Sequence, residues 1–148
     1  MPFKKTPEFD PVTPPDIDAM SVEELRNALR NAHRQLAERR THLDLIEQLA
    51  GIGSWEVDLE TDSNVWSPEL SRMHGFDDDT TPKTHAEFMA RVAHPDDASL
   101  IEQGMVALHS NKTVTVEFRA LRVDGTVRLF QARGMLVPNV SGAMTKVI

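Results

Sequence analysis

From Val22 to Ala50 the apolar positions recur at steps of three and four. Val22, Leu25, Leu29, Ala32, Leu36, Leu43, Ile46 and Ala50 fall on one line, with Arg39 the single charged residue among them. That spacing draws one narrow apolar stripe along an α-helix, a heptad seam of about four heptads with Leu29, Leu36 and Leu43 at one core position. Ser21-Val22-Glu23-Glu24 ahead of it reads as a capping box, and neither Gly nor Pro follows until Gly51. A helix over residues 21–50 would run about 45 Å. A stripe so long and narrow exceeds what a compact domain of this size covers. The expectation is therefore a coiled-coil helix that pairs with a second copy through Val22, Leu25, Leu29, Ala32, Leu36, Leu43 and Ile46. Arg39 would weaken the seam and help set its register. The competing reading folds the helix back on its own domain.

Beyond Gly51 the period changes. Trp55, Val57 and Leu59 alternate with polar residues, the period-two pattern of a half-buried strand. Thr61–Asn64 predicts a turn and Val65-Trp66 a short return strand. Ser67-Pro68-Glu69 opens a short helix, with a capping serine, a proline at the first position and a carboxylate at the positive end, and Gly75 is placed to close it. Thr84-His85-Ala86-Glu87 is a second capping box and opens the helix of Phe88, Met89 and Val92. His94-Pro95-Asp96-Asp97 opens a longer helix to about Ser110, with Asp96 and Asp97 against its unsatisfied amides. The last third alternates as strands: Val114 to Ala120, a hairpin at Asp124-Gly125, a run from Thr126 to Val137, a turn over residues 138–142, and a final strand from Ala143. Two strands, three helices and three strands predict an α+β domain. Its five-stranded antiparallel sheet carries the helices on one face.

Composition narrows the chemistry. With 16 Lys+Arg against 23 Asp+Glu the formal charge is −7, which argues against nucleic acid as a partner. There is no cysteine, so disulfides, thiolate metal sites, thiol nucleophiles and a thiol photo-adduct are excluded. No stretch reaches the roughly 18 apolar residues of a membrane span, and no apolar run follows Met1-Pro2-Phe3-Lys4-Lys5; a cytoplasmic chain without a membrane partner is expected. Five of the nine prolines fall within residues 1–20, which predicts an extended or disordered tail. The domain plan is a tail over 1–20, a dimerisation helix over 21–50 and one domain over 51–148.

Gly51-Ile52-Gly53-Ser54-Trp55-Glu56-Val57-Asp58, Trp66-Ser67-Pro68-Glu69-Leu70, Met73-His74-Gly75-Phe76, His94-Pro95-Asp96-Asp97, Glu117-Phe118-Arg119 and Asp124-Gly125-Thr126-Val127-Arg128 together resemble a PAS domain. The likeness is greatest to the subclass common in bacterial sensor kinases and cyclic-dinucleotide enzymes, and it covers residues 50–148. The preceding helix is similar to the flanking helix through which such domains often pair. The family's Asp-Ile-Thr-like exit triplet does not appear before Ile148. The expectation is thus a fragment of a longer protein, cut inside its last strand.

The resemblance implies a ligand cavity between helices and sheet. Met73, His74, Phe76, Phe88, Met89, Met105, Leu108, Val116, Phe118 and Leu129 are its candidate lining, with Gln131 the polar group to watch. Methionines suit a deformable wall; the plain alternative is that these side chains fill a core. No cofactor is expected. Haem is disfavoured because His109 ends the long helix instead of standing at its middle, and flavin has no supporting motif. No metal site, phosphate loop or nucleophile–base set is visible, so the chain reads as non-catalytic. The resemblance implies the input module of a two-component sensor histidine kinase, passing a cue to a downstream output domain. The alternatives are a stand-alone adaptor that binds a partner kinase, a haem- or flavin-based gas or redox receptor, and the input domain of a diguanylate cyclase or phosphodiesterase.

Overall fold

The computed structural model describes residues 20–110, 113–139 and 141–148. The proline-rich tail expected over residues 1–20 lies, except for Met20, outside them. The chain divides into two units, one ending at Arg40 and one spanning Thr41–Ile148.

Helix α1 runs Val22–Ala50, and none of its residues is buried. The capping box forms in both directions: Glu24 N donates to Ser21 Oγ at 3.3 Å, and Ser21 N donates to Glu24 Oε2 at 2.8 Å. At the far end Gly51 takes φ +64°, Gly51 N donates to Gln48 O and Ile52 N to Glu47 O. These paired bonds satisfy two of the last free carbonyls, and the left-handed residue between them suits glycine. Leu29, Leu36 and Leu43 are each more than half exposed, so the seam is an open apolar stripe.

The second unit is an antiparallel sheet with its helices ahead of the last strands. Strands β1 (Trp55–Asp58) and β2 (Ser63–Trp66) form the first hairpin. Helices α2 (Pro68–His74) and α3 (His85–Arg91) follow. A 3-10 turn at Pro95–Asp97 leads into α4 (Ala98–Ala107). Strands β3 (Val114–Leu121), β4 (Val127–Gly134), β5 (Leu136–Pro138) and β6 (Met144–Val147) complete the unit.

The α+β class holds, but the strand count differs from the expected five. The run predicted from Thr126 to Val137 divides at Met135 into β4 and β5. Among the described residues β4 pairs with β3 alone, in a ladder that ends where Val114 faces Gly134. Met135 exchanges two backbone bonds with Ile148, at 2.7 and 3.0 Å. β5 then continues along β6, giving a four-stranded sheet β2-β1-β6-β5 and a two-stranded sheet β3-β4. The continuous segment from Val127 to Pro138 links the two sheets.

Strand β2 also departs from expectation. It begins at Ser63 and turns Asn64 and Trp66 inward, leaving Val65 exposed. The core has two centres. Phe76, Val92, Ala93, Ile101, Phe118 and Ala120 make the larger one. Val57, Leu108 and Val147 make the smaller one beneath Trp55 and Met105.

The long helix predicted from Pro95 to Ser110 is shorter, and its acidic start does different work. His94 Nδ1 accepts from Asp96 N at 3.3 Å. Asp97 leaves the helix amides and takes three bonds from Arg119 on β3: from the backbone N at 2.7 Å, Nε at 2.9 Å and Nη2 at 2.6 Å. These bonds hold the Asp97 carboxyl well below the usual carboxylate range. His94-Pro95-Asp96-Asp97 is thus a clamp between the start of α4 and the sheet.

Candidate ligand cavity

A cavity of about 420 Å³ lies between the helices and the sheet. Trp66 from β2, Phe88 from α3, Phe118 from β3 and Phe130 from β4 supply four of its walls. Their rings meet at 5.9–6.3 Å between centroids, edge to face for Trp66–Phe88 and Phe88–Phe118 and stacked for Phe118–Phe130. Helix α2 adds Met73 and His74; α4 adds Gly104 and Met105, and Leu108 follows at its C-terminal cap.

Local structure explains how these groups arrive. Ser67 Oγ accepts from Leu70 N at 3.2 Å and from Ser54 N at 3.1 Å, so one hydroxyl caps α2 and moors it to the start of β1. The far end of α2 is held by the β3–β4 turn. Arg122 Nε donates to Met73 O at 2.9 Å and Val123 N to His74 O at 3.1 Å. The turn has three residues, Val123-Asp124-Gly125, with Gly125 at φ +80° and Asp124 accepting from Thr126. Gly104 lets α4 approach the sheet: a methyl group there would sit 2.5 Å from Val116 Cγ2.

His74 is 2% exposed. Its ring stacks on Phe130 with centroids 4.2 Å apart and lies 4.9 Å from Trp66. Its Nδ1 is 3.0 Å from Leu70 O, one helical turn back. A carbonyl only accepts, so Nδ1 carries the proton. Burial pushes the imidazole below its ordinary value, and the nearby Arg122 charge adds to this against the raising effect of the Leu70 bond. His74 is therefore a neutral ring at neutral pH.

Of the residues anticipated for the lining, Met73, His74, Phe88, Met105, Leu108, Val116 and Phe118 do border the cavity. Phe76 and Met89 do not: Phe76 belongs to the larger core centre and carries Arg91 over its ring at 4.9 Å, and Met89 packs against that same centre. Leu129 and Gln131 border it, but Leu129 is 71% exposed and Gln131 is exposed, donating to Glu117 Oε1 at 2.9 Å. Phe130 and Ala132 occupy the inward parity instead. Pairing opposite Phe118 and Val116 decides this, and two adjacent apolar residues, Leu129 and Phe130, conceal it in the sequence. Trp66 was expected only in a short return strand and was not among the anticipated lining. His85 stands beside the cavity, 3.2 Å from Glu102 on α4. His109 is exposed and does not border it. Among the described residues no three His, Asp or Glu side chains are grouped to hold a metal.

The sequence profile of the PAS fold matches residues 64–148, more than half of the chain, and the chain belongs to that family. A sensory box histidine kinase/response regulator from Burkholderia thailandensis superposes with a TM-score of 0.57 at 26% identity, over 71% of this chain and 78% of that one. The N-terminal domain of a diguanylate cyclase with PAS/PAC sensor from Marinobacter aquaeolei gives 0.54 at 18% identity, over 63% and 85%. A PAS domain from Colwellia psychrerythraea gives 0.51 at 16%, over 63% and 79%. No curated protein matches the chain. The fold is that of sensory input domains found in histidine kinases and diguanylate cyclases. No helix among the described residues is long and apolar enough to cross a membrane.

Proposed function

We propose that the chain is the non-catalytic input module of a cytoplasmic bacterial sensor histidine kinase, a dimer through α1 whose cavity receives a small-molecule cue. The cavity walled by four aromatic rings in a PAS fold carries this reading. The 26% identity to a sensory box histidine kinase favours a kinase as the output; the cyclase neighbour, at 18%, shares the fold alone. In this plan residues 21–50 are the dimerisation helix and 51–148 the sensor domain. Val22, Leu25, Leu29, Ala32, Leu36, Leu43 and Ile46 form the seam. A cue shifts the balance between two packings of helices on sheet only if it binds one of them better. The shift then reaches the output domain through the flanking helix and the last strand.

Charge at the seam tests the dimer. Leu29→Asp with Leu36→Asp in the full chain should turn a dimer into a monomer by light scattering, with the circular dichroism of the sheet retained. A wild-type monomer, or a double variant that stays dimeric, would remove α1 as the contact. Native mass spectrometry of the chain from its host tests the cue: a bound small molecule is expected, and a visible absorption band would point to a haem or flavin receptor instead.

A further inference from the structure

Part of the cavity's polar lining is committed to bonds within the protein. Trp66 Nε1 donates to Asn64 Oδ1 at 3.1 Å, Gln131 to Glu117, and His85 is engaged with Glu102. One group stands apart. With its proton on Nδ1 and directed to Leu70 O, His74 keeps Nε2 as a bare acceptor. Among the described residues Nε2 has no hydrogen-bond partner, and of the buried side-chain atoms in that condition it is the one whose residue lines the cavity. Buried acceptors without partners are rare and call for an explanation, a missing ligand among them. The ring is held between Phe130 and Trp66 and cannot turn away without losing both contacts.

We propose that the cavity takes a flat, largely apolar molecule of one or two rings bearing a hydroxyl or N–H donor, which it directs to His74 Nε2. This rests on reading the cavity as a ligand site. The size fits, since about 420 Å³ lies at the small end of ligand pockets. The shape fits as well: walls made of ring faces and edges favour an aromatic guest. The bare, buried acceptor at Nε2 selects for a donor at that point of the guest; Arg128, Gln131 and Arg133, which also border the cavity, are exposed. A matched molecule without the donor leaves Nε2 unpaired, and the cost of that is the source of discrimination.

Indole and benzofuran test this, being bicycles of one shape in which N–H is exchanged for an ether oxygen. Titration calorimetry of the full chain should find indole bound roughly tenfold more tightly. In His74→Phe, which keeps the ring stack, the preference should shrink to about twofold or less. In the wild type labelled with ¹⁵N at histidine, the His74 Nε2 resonance should move with indole and stay still with benzofuran; this readout stands if the variant does not fold. Equal binding of the two probes, or a preference that persists in His74→Phe with an unmoved Nε2 resonance, overturns the inference and leaves the cavity as a ligand site. Failure of both probes to bind overturns the cavity reading itself and the inference with it.

Discussion

At Gly53 the chain has no room for a methyl group. A Cβ there would lie 2.6 Å from Leu70 Cα and 2.8 Å from Leu70 N, backbone atoms that cannot rotate aside. Gly53→Ala is expected to cost about 1–3 kcal/mol, the range for overpacking. Urea unfolding should show a lower midpoint with an unchanged slope. Gly104 makes a closer contact, with a stiff β-branched side chain, yet Gly104→Ala is expected to cost less. In the middle of α4 alanine recovers up to about 1 kcal/mol of helix propensity, whereas Gly53 lies outside any helix and has no such offset. The same scale holds the ring of His74, whose single helical bond to Leu70 O settles its tautomer.

At the scale of the element, the short helix α2 owes its position to its two ends. It has seven residues, too few to persist unaided, and carries both Met73 and His74. Ser67 holds the first end to β1, and Arg122 and Val123 hold the second to the β3–β4 turn. Ser67→Ala removes the acceptor of two backbone amides at once. Its expected cost is about 1–2 kcal/mol, the upper part of the range for a lost cap, with faster amide exchange at Ser54 and Leu70 as the local signature. The second capping box shows how an element's ends can differ from their motif. Thr84 Oγ1 accepts from Glu87 N as the motif requires, but Glu87 returns its carboxylate to Lys83 N, one residue earlier.

For the whole molecule, the response to acid should come in two stages. The unfolded chain protonates His74 near pH 6.5, while the buried ring resists until lower pH. The stability gained by keeping it neutral is therefore complete above that value and lost as pH falls below it. The carboxylates behave in the same sense further down. Asp97, Asp124 and Asp58 are all held below their ordinary value, by bonds from Arg119, Thr126 and Thr61 respectively. Their contribution is complete above about pH 4 and drains away beneath it. Melting temperature measured against pH should fall in both windows, and His74→Phe should flatten the upper one alone. A slope near pH 6 that survives this substitution would place its origin elsewhere.

Periodicity and end signals were enough to read the helix from Val22 to Ala50, the caps at Ser21, Ser67 and Thr84, the glycine stops at Gly51 and Gly75, and the hairpin at Asp124-Gly125. Each depends on residues within a few positions of one another, so the backbone's own hydrogen-bonding needs write it into the chain. The inward parity of β2 and β4, the break at Met135 and the clamp from Asp97 to Arg119 depend on partners far along the chain. Val65 and Leu129 are as apolar as their neighbours, and only the ladders facing Trp55 and Phe118 decide that Trp66 and Phe130 turn inward. The cavity is of that second kind. Met73, His74, Phe88, Met105, Leu108, Val116 and Phe118 were legible as apolar or aromatic, but an unpaired nitrogen on His74 exists only once α2, β2 and β4 have closed around it.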